Sequence, residues 1–450
     1  MKRKLFGIAA LLLAVFVSAS AGDYVIRRLK LNHNDAIYKC GEEVVVTGRL
    51  LKNASPVTEG KLRVITKWEG FEVGSTDIDC NGKSFKVTYK SDKPGWVYFA
   101  FQVIGPDGKV VENPAPNPPQ RRKKKLVAEI GAIYEPENIR TAVEMPADFD
   151  EFWKGVRTKL DQVPFNAKLE KLDAKDPKIE LYAVTVDAGA DRPVTAYLAY
   201  PVGAKPKSHP ALVNFLSWST CDANRNVAIN NAKKGMIALS ATWHGFPVNQ
   251  PKEFYPREIR KGFRATGHIA DRDKWEFRWV YVRVLRALDF IKSRPEWDGK
   301  TLIVQGGSLA GAETATAAAF DPAVTTALIS VPCFCEFSAD RAGRKRSIPV
   351  TGYKPAQLTD QIRKTLNYFD VVNLATKIKC EVYFCTGYAD ELCPPSNVIA
   401  AYNNLPAETR KEFFANPATG HYGTTYDRKA GKRLQELFKG VKVNPYTEKY

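Results

Sequence analysis

From about residue 146 onward, continuous apolar segments alternate with helix-forming ones, and this alternation limits the fold more than any other feature of the chain. The apolar segments run over 211–216, 236–243, 301–305, 326–331, 381–386 and 411–415. A strand that is apolar along its whole length has no face left for water, so it belongs in a parallel sheet covered on both sides. Residues 274–293 set Trp275, Trp279, Val282, Leu285, Leu288 and Ile291 at helical spacing, which predicts a long helix laid on that sheet. Two earlier segments, 180–186 and 193–200, alternate like antiparallel edge strands. Such units specify a doubly wound, mostly parallel α/β sheet over residues 136–450.

Residues 22–135 follow a different pattern. Runs at 43–51, 61–68, 84–89 and 95–104 are rich in Val, Phe and Tyr, with turn signals at Cys80-Asn-Gly82, Lys93-Pro-Gly95 and Pro106-Asp-Gly108. That spacing predicts a small all-β sandwich. Cys40 and Cys80 are its candidate disulfide pair, whereas Cys333 and Cys335 read as packing residues on opposite faces of a strand. No cysteine spacing matches a zinc site. The proline-rich stretch 113–119 and the basic run Arg121 to Lys125 read as a solvated loop.

Lys2, Arg3 and Lys4 precede an apolar run over 5–17 and an Ala19-Ser-Ala21 cleavage site, so residues 1–21 read as a secretory signal peptide. The run is short against the ~20 residues a bilayer span needs. The expected product is a secreted or periplasmic chain starting near Gly22, without membrane insertion. The full sequence has a formal charge of +18, and removing those three basic head residues leaves 18 − 3 = +15. The basic surface suits an acidic polysaccharide or cell envelope, and no motif points to a nucleic-acid partner.

The chemistry concentrates where the strand at 301–305 enters Gly306-Gly-Ser308-Leu-Ala-Gly311 and an alanine-rich helix follows at once. A nucleophile elbow of the α/β-hydrolase kind needs a serine on a sharp strand-to-helix turn, with small residues two places before and after it. Gly306 and Ala310 meet that need, and the backbone N–H of Leu309 faces a developing oxyanion. A serine hydroxyl needs a base, and the triad order in this fold is serine, acid, histidine. Of His33, His209, His244, His268 and His421, only His421 follows Ser308. The loop after strand 381–386 offers Asp390, with Glu391 as its rival.

Residues from about 146 to 440 resemble the acetyl xylan esterase/cephalosporin-C deacetylase family, carbohydrate esterase family seven. The resemblance is carried by 146–153, the elbow at 306–311, 331–337, 368–375, 387–396 and Gly420-His421. It implies a triad of Ser308, Asp390 and His421, no metal or cofactor, and an acetylated oligo- or polysaccharide as substrate. It also leaves a homo-oligomer open. Where the family shows His-Gly-Tyr, this chain has Leu216-Ser217-Trp218, so the second oxyanion N–H falls on Trp218. A second departure, Thr242-Trp243-His244-Gly245, makes His244 either a pocket residue or a loop cap, and Pro332 joins it as a candidate pocket residue. An elbow and triad serve ester and peptide bonds alike, so a peptidase stays open, as does a decayed carbohydrate-binding protein.

Overall fold

The computed structural model describes residues 24–112, 125–189, 192–219, 221–350 and 352–422. The signal segment, almost all of the basic run and the helix expected near 427–439 lie outside the described residues. The N-terminal strands are β1 (Tyr24–Leu31), β2 (Ile37–Tyr38), β3 (Glu43–Lys52), β4 (Ser55–Pro56) and β5 (Lys61–Trp68). They continue with β6 (Phe71–Asp79), β7 (Phe85–Lys90), β8 (Gly95–Ile104) and β9 (Ala128–Tyr134). One sheet has the order β1-β3-β4 with β7 also on β3, and the other the order β2-β9-β8-β5-β6. Val44, Val46 and Leu50 of the first share a core with Leu62, Val64 and Phe101 of the second.

The expected Cys40–Cys80 disulfide is not formed, and all eight cysteines are free. Cys40 follows β2 and Cys80 follows β6, the two opposite edges of one five-stranded sheet. Four strand spacings separate those edges by about 19 Å, far beyond the reach of a disulfide.

The second region carries β10 (Lys168–Leu172), β11 (Ile179–Val186), β12 (Val194–Pro201), β13 (His209–Phe215) and β14 (Ile237–Ala241). It continues with β15 (Trp297–Gly307), β16 (Thr326–Ser330), β17 (Glu381–Gly387) and β18 (Lys411–Asn416). They make a nine-stranded sheet in the order β10-β11-β12-β14-β13-β15-β16-β17-β18. The pairs from β10 to β14 are antiparallel, as the alternating segments predict, and the rest are parallel.

Helices α1 (Phe149–Asp161), α2 (Arg225–Ala232), α3 (Phe254–Gly262) and α4 (Glu276–Lys292) precede α5 (Leu309–Phe320). After it come α6 (Asp360–Asn367), α7 (Val371–Ala375) and α8 (Pro395–Asn403). Val280, Val284, Leu288 and Ile291 of α4 cover the sheet face made by Val213, Leu302, Val304 and Ile329. Among the described residues no helix is long and apolar enough to cross a membrane.

Candidate active site

β15 runs through Gly306 and Gly307 into Ser308, and α5 begins at Leu309. Ser308 has φ 60° and ψ −121°, a backbone region that L residues avoid. The turn is so tight that a Cβ on Gly306 would lie 2.4 Å from the Ala310 carbonyl oxygen. The Ser308 N–H donates to the Ser330 carbonyl at 3.0 Å, and its own carbonyl accepts from Cys333 at 3.0 Å. The segment supplying Cys333 has positive φ at Val331, Phe334 and Glu336, so backbone strain concentrates around the serine. Leu309 opens α5, so its N–H is among the first-turn donors without an intrahelical acceptor.

β13 and β15 are parallel neighbours with Asn214 opposite Gln305, so the chain leaving β13 toward Trp218 emerges beside Ser308. The Trp218 ring lies 5.6 Å from Phe277, 6.0 Å from Phe263 and 6.1 Å from Trp243. Arg283 of α4 fixes this wall by donating to the Trp243 carbonyl at 2.8 Å. Arg278, Arg283 and Arg286 are all buried on that helix, although only its apolar positions signal burial in the sequence.

Asp390 follows β17 and His421 follows the neighbouring β18, with His421 Nδ1 and Asp390 Oδ2 2.9 Å apart. The Asp390 side chain is fully buried, and its Oδ1 accepts from the N–H groups of Leu392 at 2.8 Å and Cys393 at 3.0 Å. A carboxylate can only accept, so Nδ1 carries a proton, and in the neutral ring Nε2 is the nitrogen with the lone pair. Glu391 turns away, its carboxylate 2.5 Å from Lys67 Nζ. The sheet thus sets Ser308, Asp390 and His421 at the carboxyl ends of β15, β17 and β18, where open α/β sheets hold their sites.

Among the described residues, Asp390, Cys393 and His421 offer ligand atoms within 4.8 Å of one another. Burial pushes the Cys393 thiol well up, however, and both Asp390 oxygens are already engaged. The arrangement suits an acid–base pair better than a cation.

The two candidate pocket residues differ in their surroundings. His244 is fully buried; its Nδ1 accepts from Phe246 N–H at 3.1 Å and its Nε2 lies 3.1 Å from the Cys221 carbonyl. No ring nitrogen is left for a substrate, so His244 ties one loop to the next. Pro332 is also buried and sits under the elbow helix, where a Cβ on Gly311 would come within 2.9 Å of it.

Burial lowers the His244 pKa from 6.5 to about 4. As pH falls through that window, the unfolded chain takes up a proton that the folded imidazole refuses. The His244 contribution to stability is therefore intact above pH 6.5 and is expected to shrink by up to about 3 kcal/mol toward pH 4. Urea midpoints of wild type and His244→Gln across this range check the expectation: the difference between the two should change in favour of the variant as pH falls from 6.5 to 4.

The contacts beside Asp390 come largely from outside the large sheet. Trp96 of β8 donates its indole N–H to the Tyr388 carbonyl at 2.7 Å. Glu69 accepts from Trp96 N–H at 2.6 Å and from Ser396 Oγ at 2.5 Å, with burial pushing its carboxyl up to about 7. In the sequence Trp96 and Glu69 look like an ordinary strand aromatic and a turn acid.

A mostly parallel sheet, a serine on a strained strand-to-helix turn and a buried Asp–His pair at the same carboxyl end of that sheet define an α/β-hydrolase. The acetyl xylan esterase (AXE1) family profile matches residues 133–432, and the chain belongs to that family of carboxylic ester hydrolases. The acetyl esterase Axe7A of Xylanibacter ruminicola is 27% identical over 94% of both chains. An acetyl xylan esterase from Paenibacillus sp. R4 is 28% identical with a TM-score of 0.59, over 67% of this chain and 98% of its own. Acetyl xylan esterase 1 of Thermoanaerobacterium sp. JW/SL YS485 shares the fold at 22% identity, with a TM-score of 0.58 over 68% and 98% of the two chains.

Proposed function

We propose that this chain is an exported serine esterase that removes acetyl groups from acetylated carbohydrate through an acetyl-serine intermediate. The observation that carries the reading is the 2.9 Å His421–Asp390 contact, set at the carboxyl end of the sheet where the strained Ser308 precedes α5. His421 Nε2 takes the Ser308 hydroxyl proton as Oγ adds to the acetyl carbonyl. The N–H groups of Leu309 and Trp218 receive the developing oxyanion. The protonated imidazole then donates to the departing sugar oxygen, leaving acetyl on Oγ. Water, deprotonated by His421 Nε2, adds to that ester, and acetate leaves as the proton returns to Ser308.

The fold of the relatives and the names of the acetyl esterases among them support the acetyl group and the carbohydrate; the positive head and cleavage site support export. The test offers purified protein an aryl acetate, acetylated xylan and a peptide panel, and analyses a quenched reaction by mass spectrometry. Acetate release with one acetyl group on the Ser308 peptide is expected. Peptide cleavage, or acetate release with that peptide never modified, would overturn the reading.

A further inference from the structure

We infer that the N-terminal β domain is a working part of this active site: Trp96 and Gly131 position the two loops that carry Asp390 and His421. The inference rests on the roles given to that pair under Proposed function.

The contacts converge on the residues flanking the acid and the base. Tyr388 and Ala389, directly before Asp390, belong to the core of the N-terminal sheets together with Ile399 and Ala400 of α8. Trp96 is fully buried, and its indole N–H holds the Tyr388 carbonyl at 2.7 Å. Gly131 of β9 reaches both loops: its N–H donates to the Pro417 carbonyl at 2.8 Å, and a Cβ there would lie 2.0 Å from the Tyr388 carbonyl oxygen. No side chain fits at that junction.

The loops are joined to each other as well. Tyr388 N–H donates to Asn416 at 2.9 Å and Ala389 N–H to Thr419 at 3.0 Å. A shift at Gly131 or Trp96 therefore moves Asp390 and His421 relative to Ser308, which hangs on β15 and has its own supports. Glu69 strengthens the junction, since its backbone carbonyl accepts from Lys345 N–H at 2.9 Å while Lys345 Nζ donates to the Glu391 carbonyl at 2.9 Å. The interface also reaches Ser396 and Ile399 of α8, but the Trp96, Gly131 and Lys345 bonds fall within three residues of Asp390 and four of His421.

The test uses the full chain with Trp96→Phe, which keeps an aromatic ring and removes the donor, and Gly131→Ala, which forces the loops apart. Misplacing a catalytic group by about 1 Å costs on the order of a hundredfold. A tenfold to hundredfold drop in kcat on an aryl acetate is expected from that scale, with KM little changed. The far-downfield NMR proton of the Nδ1–H···Oδ2 bond should shift or broaden in both variants. Val46→Ala, which trims the core of the same domain but removes neither the Trp96 donor nor the Gly131 contact, should leave kcat and that proton unchanged. If Gly131→Ala does not fold, Trp96→Phe decides. Wild-type kcat and an unshifted proton in Trp96→Phe, with Asp390→Asn inactive, would overturn the positioning role alone. Full activity in Asp390→Asn would instead overturn the site assignment beneath it.

Discussion

Asp390→Asn is expected to slow acetate release by about four orders of magnitude, and Ser308→Ala by about six, the scale seen when members of such triads are removed in other serine hydrolases. The surroundings of Asp390 dictate why so small a change costs so much. Its Oδ1 accepts from two backbone N–H groups, Leu392 and Cys393, so the amide oxygen of an asparagine must occupy that side. The NH2 group then faces His421 Nδ1 at the position where Oδ2 now lies 2.9 Å away. Donor meets donor, the imidazole shifts its proton to Nε2, and the base facing Ser308 is lost. The loss should appear in kcat with KM nearly unchanged, because no substrate contact is removed. Glu391→Gln is the control: its side chain rests on Lys67, where an amide oxygen still accepts, and activity should stay within a few-fold of wild type. Steady-state kinetics on an aryl acetate measure all three variants, and full activity in Asp390→Asn would move the acid elsewhere.

How much of this was legible in the sequence depended on whether a residue's role is set locally or by strand order. The elbow is local: a strand, two glycines, a serine and a helix within eleven residues leave few conformations, and Ser308 has the positive φ that such a turn requires. The strands at 61–68 and 95–104 fall where the runs of Val, Phe and Tyr place them. β10 escaped notice because four of its five residues are exposed and no apolar period marks it. The cysteine pairing failed for a nonlocal reason, since closeness in sequence does not tell that β2 and β6 lie on opposite edges. The position of His244 after a core strand leaves open whether it faces the pocket or caps a loop, because its partners at Cys221 and Phe246 are set by how the loops pack. Trp96 and Gly131 carry no sequence signal at all, because their partners, Tyr388 and Pro417, lie more than 250 residues away.

Asp370→Ala is expected to destabilise the chain by about 3 kcal/mol or more, because it strands several buried N–H groups at once. Its carboxylate is fully buried and accepts from Glu336 N–H at 2.9 Å, Phe337 N–H at 2.8 Å and, as the cap of α7, Val372 N–H at 2.9 Å. The stretches 331–337 and 368–375, both of which carry the family resemblance in the sequence, are thereby locked together. Glu336 extends the lock: it pairs with Arg344 in the interior and accepts from Ala142 N–H at 2.7 Å, while Arg344 donates to the Arg140 carbonyl at 2.8 Å. The segment leading from the N-terminal domain is thus tied to the turn whose Cys333 N–H supports Ser308. Alanine at 370 leaves its donors unpaired in a place water does not reach, whereas Asp370→Asn keeps one acceptor oxygen and should lose about half as much. Urea unfolding compares the three proteins. If Asp370→Ala matches wild type in midpoint, the lock does not hold the fold; if it is destabilised and also loses kcat in native conditions, the lock supports the serine turn as well.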